Sequence, residues 1–175
     1  MYVPDCFNRG SDLHFNANQF HTLCDNHANT LVVIKALDEQ GQGCVFGGFT
    51  SIGWNPFLVS CMDYSVDAIV LATNKMHDEK AFLFTLYNPH HMKPTRFKHE
   101  KSYAITYEEY WGPTFFGGFR VCNDCHQVKE SCFDVSNSNA YNLPSSLKYN
   151  VFFNTDNKTK SASFLVEDYE VFSNK

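Results

Sequence analysis

The run TLVVIKAL at residues 30–37 is β-branched and apolar at odd and even positions alike. A strand of that pattern is expected inside a sheet, covered on both faces. DEQGQG (38–43) has turn chemistry, and CVFGGFTS (44–51) resumes the apolar pattern, so the segment predicts a β-hairpin. AFLFTLYN (81–88) alternates, with Phe82, Phe84 and Leu86 on one face and Leu83 and Thr85 on the other. SYAITYEEY (102–110), SLKYNVFF (146–153) and FLVEDYEVF (164–172) predict further strands. SVDAIVLATNK fits either a short helix, through apolar residues 66, 69 and 70, or a strand, through its β-branched content.

One helix is predicted over residues 16–25. The Asn16 side chain can accept an N–H of the first turn, and Gln19 can reach back to the Asn16 amide as in a capping box. Phe15 and Phe20 have the spacing of a hydrophobic staple, and Asp25-Asn26 marks the exit. Six or so strands and few helices predict a mainly β chain with a few short helices (α+β), sheet packed on sheet. The Gly pairs 47–48 and 117–118 fall inside or beside strand patterns, where glycine marks a bulge, a bend or a close backbone approach. No repeat, low-complexity tract or linker divides residues 1–175, which read as a single domain.

Composition sharpens this picture at a few points. With 17 Phe, 9 Tyr and 2 Trp in 175 residues, aromatic rings are expected to dominate the core. The net charge is −5 and Lys and Arg are scattered singly, which argues against a nucleic-acid surface. Neither a signal-peptide pattern at the start nor an apolar stretch of membrane-spanning length stands out, so no membrane insertion is expected. Seven cysteines, an odd number without framework spacing, fit free thiols in a reducing cytoplasm.

The densest candidate chemistry is CNDCH at residues 122–126. Its spacing matches covalent haem attachment, but that chemistry normally belongs to an oxidising, extracytoplasmic compartment and needs a second axial ligand. A zinc site would draw on Cys122, Cys125, His126 and Cys132, without the usual second Cys-x-x-Cys or His pair. A redox dithiol at Cys122 and Cys125 would need a helix N-terminus to stabilise the thiolate, and no helix signal follows. The simplest reading is a polar loop with two free cysteines. Ser51, His21 and Asp25 are of the types that make a catalytic triad, but no Gly-x-Ser-x-Gly elbow is present. Gly41, Gly43, Gly47 and Gly48 lack the Lys-Ser/Thr and the helix of a phosphate loop. Glu108 and Glu109, adjacent on a predicted strand, point to opposite faces, so at least one is solvated; the same holds for Glu167 and Asp168.

In order, the chain reads NRGSDLHFNANQFHTLCDNHANTLVVIKA, VFGGFTSIGW, KAFLFTLYN, GPTFFGGF, LKYN and ASFLVEDYEVF. This succession resembles the TLDc domain, the module of the oxidation-resistance proteins, roughly from Asn8 to Phe172. The resemblance implies a β-sandwich of two antiparallel sheets with a few short helices. It also implies a non-enzymatic regulatory module without a cofactor, linked to oxidative-stress resistance, with a protein partner that includes subunits of the vacuolar-type ATPase, a proton pump. It supplies no catalytic residue; Gly47, Gly48, Trp54, Phe82, Gly112, Pro113, Phe115, Gly117 and Gly118 are motif positions expected to maintain the fold. The alternative is a thiol-based antioxidant or redox sensor using Cys122 and Cys125. The chain departs from the family pattern at Leu13-His14, where Asp-Gly is usual, and at Phe116 and Arg120, where Gly and Asp are common. It also carries extra residues between Trp54 and Ala81, and little of the helix that often precedes the first motif.

Overall fold

The computed structural model describes residues 5–55, 75–100, 103–134, 140–144, 151–153 and 161–173. The chain opens with β1 (Asp5–Arg9), a 3-10 turn (Ser11–Leu13) and α1 (Ala17–Cys24). The strands β2 (Thr30–Leu37) and β3 (Gly43–Thr50) follow, and then β4 (Lys75–Met76), β5 (Phe82–Tyr87), β6 (Thr95–Lys98) and β7 (Ile105–Thr106). β8 (Trp111–Thr114), β9 (Phe119–Cys122), β10 (Ser131–Asp134) and β11 (Ser161–Ser173) complete it. Every strand pairing is antiparallel.

The long β11 belongs to both layers. Residues 161–164 pair with β10, which continues through β9 to β8. From Leu165 onwards β11 pairs with β2, which continues through β3 and β5 to β6, and its final residues also pair with β1. The register slips between Val166 and Asp168, an irregularity of the kind that bends a strand. One strand can therefore serve two sheets, and the sandwich expected from the sequence is present. β4 and β7 form a separate short ribbon.

Phenylalanine fills the space between the layers. Phe46 lies 4.9–5.4 Å, centroid to centroid, from Phe119, Phe152, Phe153 and Phe164, mostly edge to face. Residues 30, 32, 34 and 36 of β2 are fully buried, but its other face is only half-covered and Lys35 is exposed. The apolar run thus belongs to a strand with one buried face rather than two. In β5 the inward face is Leu83 and Thr85, while Phe82 lies outward beside Phe49 and beneath Arg96. Phe84, also outward, is buried because its ring covers the bare backbone of Gly47.

The predicted strand over 102–110 shrinks to β7, and residues 107–110 form a turn in which Trp111 N–H donates to the Glu108 carbonyl. Of the predicted strand at 146–153, residues 151–153 are bends and the rest lies outside the described residues. The helix-or-strand alternative at 65–75 also lies outside them, except for Lys75 in β4.

Two polar contacts hold the segment after β3. Trp54 Nε1 donates to Thr30 Oγ1 at 3.0 Å, both side chains wholly buried. The buried Asp78 carboxylate accepts from Thr50 Oγ1, Ser51 N, Ser51 Oγ and Lys80 N at 2.6–3.0 Å. Burial alone would raise its pKa, but these donors hold it below the usual carboxylate value.

The sheets meet where Phe115 lies over Gly48. A Cβ on Gly48 would stand 2.5 Å from the Phe115 ring, and one on Gly118 would stand 2.8 Å from Leu83. The Phe115 ring also abuts Trp54, which abuts Phe20 of α1. Phe115→Ala is expected to cost about 3–5 kcal/mol in urea denaturation, and Gly48→Ala about 1–3 kcal/mol. Combining Gly48→Ala with Phe115→Leu should cost less than the sum of the two single changes; strict additivity would refute the contact. Gly47→Ala should find no such relief, because its Cβ would strike the Val32 backbone carbonyl. At the first motif, His14 is exposed with φ 51°, the left-handed region that glycine takes without strain. His14→Gly should therefore stabilise by about 0.5–1 kcal/mol, read as a raised denaturation midpoint.

Candidate functional site

The start of α1 is capped twice. Asn16 Oδ1 accepts from Gln19 N–H at 3.2 Å, as the sequence predicts, and Asn123 Oδ1 accepts from Ala17 N–H at 2.9 Å. The reciprocal half of the capping box is replaced, because Asn16 N–H donates to the Leu13 carbonyl. The staple is replaced too: Phe15 stacks on His126 at 4.3 Å, while Phe20 meets Trp54.

The CNDCH loop is thus what secures the helix. Besides the Asn123 cap, Asp124 N–H donates to the Phe15 carbonyl, and Cys125 carbonyl accepts from Val166 N–H beside the irregularity in β11. Asp124 takes φ 52° to do so. Cys122, Cys125 and Cys132 are buried, as are Cys24 and Cys44. Burial pushes the Cys125 thiol up strongly; it also raises Cys122, partly offset by the Ser131 hydroxyl 3.3 Å from its sulfur. Cys24 and Cys44 are raised to about 12, again by burial. A peroxide-reducing cysteine needs the opposite, an accessible thiolate. Among the described residues, no three His, Cys, Asp or Glu side chains come together to hold a metal ion, the Cys122, Cys125, His126, Cys132 set included.

His21 carries the most constrained polar geometry. Its Nδ1 lies 2.7 Å from Asp25 Oδ1, and its Nε2 lies 2.9 Å from the Trp111 carbonyl and 3.1 Å from the Glu108 carbonyl. All three neighbours are acceptors, so satisfying them takes a proton on each ring nitrogen. Burial opposes that charge, but the Asp25 carboxylate and the two carbonyls outweigh it and the His21 pKa is raised. The ring ties α1 to the 107–110 turn through these contacts, with the Tyr107 ring 4.7 Å away. Of the triad residues, His21 and Asp25 meet, whereas Ser51 Oγ donates to Asp78.

The 107–110 turn stands among three hollows. One, of about 450 Å³, is lined by Asn18, His21, Asp25, Asn55, Tyr107 and Glu109. A second, of about 150 Å³, lies between the start of α1 and Tyr110. A third, of about 210 Å³, includes Glu108 and the tip of the β8–β9 hairpin. Tyr110 is 76% exposed. Glu109 is exposed as well and Glu108 is half-buried, but their different exposure comes from a turn, not from strand alternation. Glu167 is exposed and pairs with Lys35, while Asp168 accepts from Ser11 N and Oγ.

A family model of the TLDc domain matches residues 7–175. The chain belongs to the TLDc family. No curated protein matches it. Within this TLDc domain, Gly48, Trp54, Phe115 and Gly118 converge on the core contact between the sheets. Gly117 takes φ 68° in the β8–β9 turn. Gly112 and Pro113 are buried in β8, where proline is tolerated because the strand ends the sheet. Phe82 lies apart, on the outer face. The roles of Asp78, of Asn123 and of the two carbonyls at His21 left no sequence signal beyond residue type, because each depends on a partner 27 or more positions away.

The raised His21 pKa has a definite sign. Its stabilising contribution is complete below the unfolded histidine value of about 6.5 and is lost as pH rises through the folded value. His21→Gln should cost about 1–3 kcal/mol in urea denaturation at about pH 6. The wild-type advantage over that variant should shrink towards about pH 9; a constant difference would show that His21 is not held as the imidazolium.

Proposed function

We propose that this TLDc domain is a non-enzymatic, cytoplasmic docking module that acts in oxidative-stress resistance by binding subunits of the vacuolar-type proton pump. Family membership supports the general role. The observation that carries the reading is the 107–110 turn: an exposed Tyr110 beside the hollow at the start of α1, on a base held by the His21 contacts. Exposed aromatic side chains on a rigid base are typical anchors of protein interfaces. The hydroxyl, carboxylate and imidazole groups of Ser51, Asp78 and His21 are engaged in holding the fold. Among the described residues, no helix is long and apolar enough to cross a membrane.

The test is affinity purification of the tagged chain from its own cells, with and without peroxide, quantifying pump subunits by mass spectrometry. Tyr110→Ala should reduce their recovery by about tenfold while leaving thermal unfolding unchanged. Equal recovery with wild type and variant would remove the turn from the interface, and no recovery with either would remove the pump. The thiol reading is tested by peroxide consumption of the purified protein: the Cys122→Ser, Cys125→Ser double variant should match wild type.

A further inference from the structure

The outer face of β5 carries a stack of three side chains from three strands. Phe82 of β5 lies 5.2 Å from Phe49 of β3, centroid to centroid, and Arg96 Cζ of β6 lies 4.8 Å from the centroid of the same Phe82 ring. β3 and β6 flank β5 on opposite sides, so Phe82 has an aromatic neighbour on one strand and a cation on the other. Contact with a ring face uses none of the five N–H donors of a guanidinium. Lys98, two residues along β6, stands opposite Phe82 in the register and shares the outward face with Arg96. Both cations are exposed. Arg9 pairs with Glu170 and Lys35 with Glu167, but among the described residues no carboxylate pairs with Arg96 or Lys98.

The antiparallel register continues an apolar row from these cations across the sheet. Phe82 stands opposite Phe49, Phe49 opposite Leu31 and Leu31 opposite Phe172, each half-buried. Cations on an edge strand commonly guard it against pairing with other strands. Here the edge past Lys98 is already occupied, because Asn142 N–H donates to the Lys98 carbonyl and Glu100 N–H to the Ala140 carbonyl. Arg96, moreover, lies over the Phe82 ring, on the face of the sheet. A ligand of these cations therefore meets the face rather than lengthening the sheet.

We infer that the outer face at Arg96, Lys98 and Phe82 is a second docking surface, which takes an extended acidic segment of a protein partner with carboxylates at alternate positions. Charge fixes the sign of the ligand: two cations without acidic partners stand together on a protein whose net charge is −5. Residues two apart in a strand repeat at about 6.5–7 Å, so Arg96 and Lys98 match carboxylates at positions i and i+2 of an extended chain. The guanidinium takes one carboxylate through paired N–H donors and Lys98 takes the next. The half-buried rings beside them give these pairs a less polar floor, where each is worth more than in open water. The surface is separate from the 107–110 turn: β6 ends one sheet, and that turn leads into β8, which ends the other. The proposal rests on the docking reading for the kind of partner, not for its identity.

The test is a titration of the isotope-labelled full chain with the end-blocked peptide Ser-Glu-Ser-Glu-Ser-Glu-Ser at low salt, followed by backbone amide NMR. Shifts are expected at Phe49, Phe82, Arg96 and Lys98. Arg96→Glu and Lys98→Glu should each weaken binding by about tenfold or more, with the fold checked by thermal unfolding. Lys98 is exposed and stacks on no ring, so its variant reports on binding even if loss of Arg96 disturbs Phe82. Unchanged affinity in Lys98→Glu would leave the cations as edge guards and overturn the proposal. So would the absence of shifts, or shifts confined to the 107–110 turn. Sedimentation with phosphatidylserine vesicles that both variants abolish, in place of peptide binding, would assign the face to a membrane instead. Because the peptide is used alone, localised binding upholds the surface even if the pump subunits are never recovered. Conversely, pump capture without peptide binding upholds the docking reading and removes this surface.

Discussion

The rest of the fold depends on the seating of one ring, Phe115, on a strand that has no side chain to resist it. Gly48 lets the ring approach to a distance that any Cβ would forbid, and the ring then meets Trp54 and, through it, Phe20. Three distant stretches of sequence are joined by this contact: the helix, the Gly-Gly strand with its following tryptophan, and the β8–β9 hairpin. Gly118 repeats the device in the other direction, opening space for Leu83. Two sheets that share β11 are thereby held face to face away from it as well.

Polar groups in this protein mostly serve position. Asp78 gathers four donors at the end of β3, and His21 satisfies three acceptors at the foot of the 107–110 turn. In both, burial works against the charged form and the hydrogen bonds work for it, and the two pKa values move in the directions that favour the charge. The cysteines show the reverse case. Without comparable partners, burial raises Cys24, Cys44, Cys122 and Cys125 and keeps them thiols. The same balance of burial and hydrogen bonding thus moves His21 towards its charged form and the CNDCH cysteines towards their neutral one.

That loop shows why motif spacing is a poor guide to function here. Cys-x-x-Cys-His points to metals and redox chemistry, but the residues that act are the ones between and beside the cysteines. Asn123 caps α1, the Asp124 amide binds the chain before it, and His126 stacks on Phe15. The 107–110 turn, by contrast, faces outward with Tyr110 exposed.

The elements whose contacts are local were legible in the chain itself. The β2–β3 hairpin falls within a residue of its expected bounds, and α1 begins at the Asn16 cap, because turn chemistry and capping act over a few positions. The ordered motif blocks also pointed to the family, and several of their residues, Gly48, Trp54, Phe115 and Gly118, meet in the sheet-to-sheet contact. Tertiary structure decided which face of β5 turns inward, that TYEEY is a turn rather than a strand, and that the cysteine loop holds a helix. It also brought Lys75 to a hollow shared with residues more than thirty positions later. Those outcomes depend on side chains meeting across the core and on backbone carbonyls in distant segments. No periodicity encodes a partner that only the folded chain brings near.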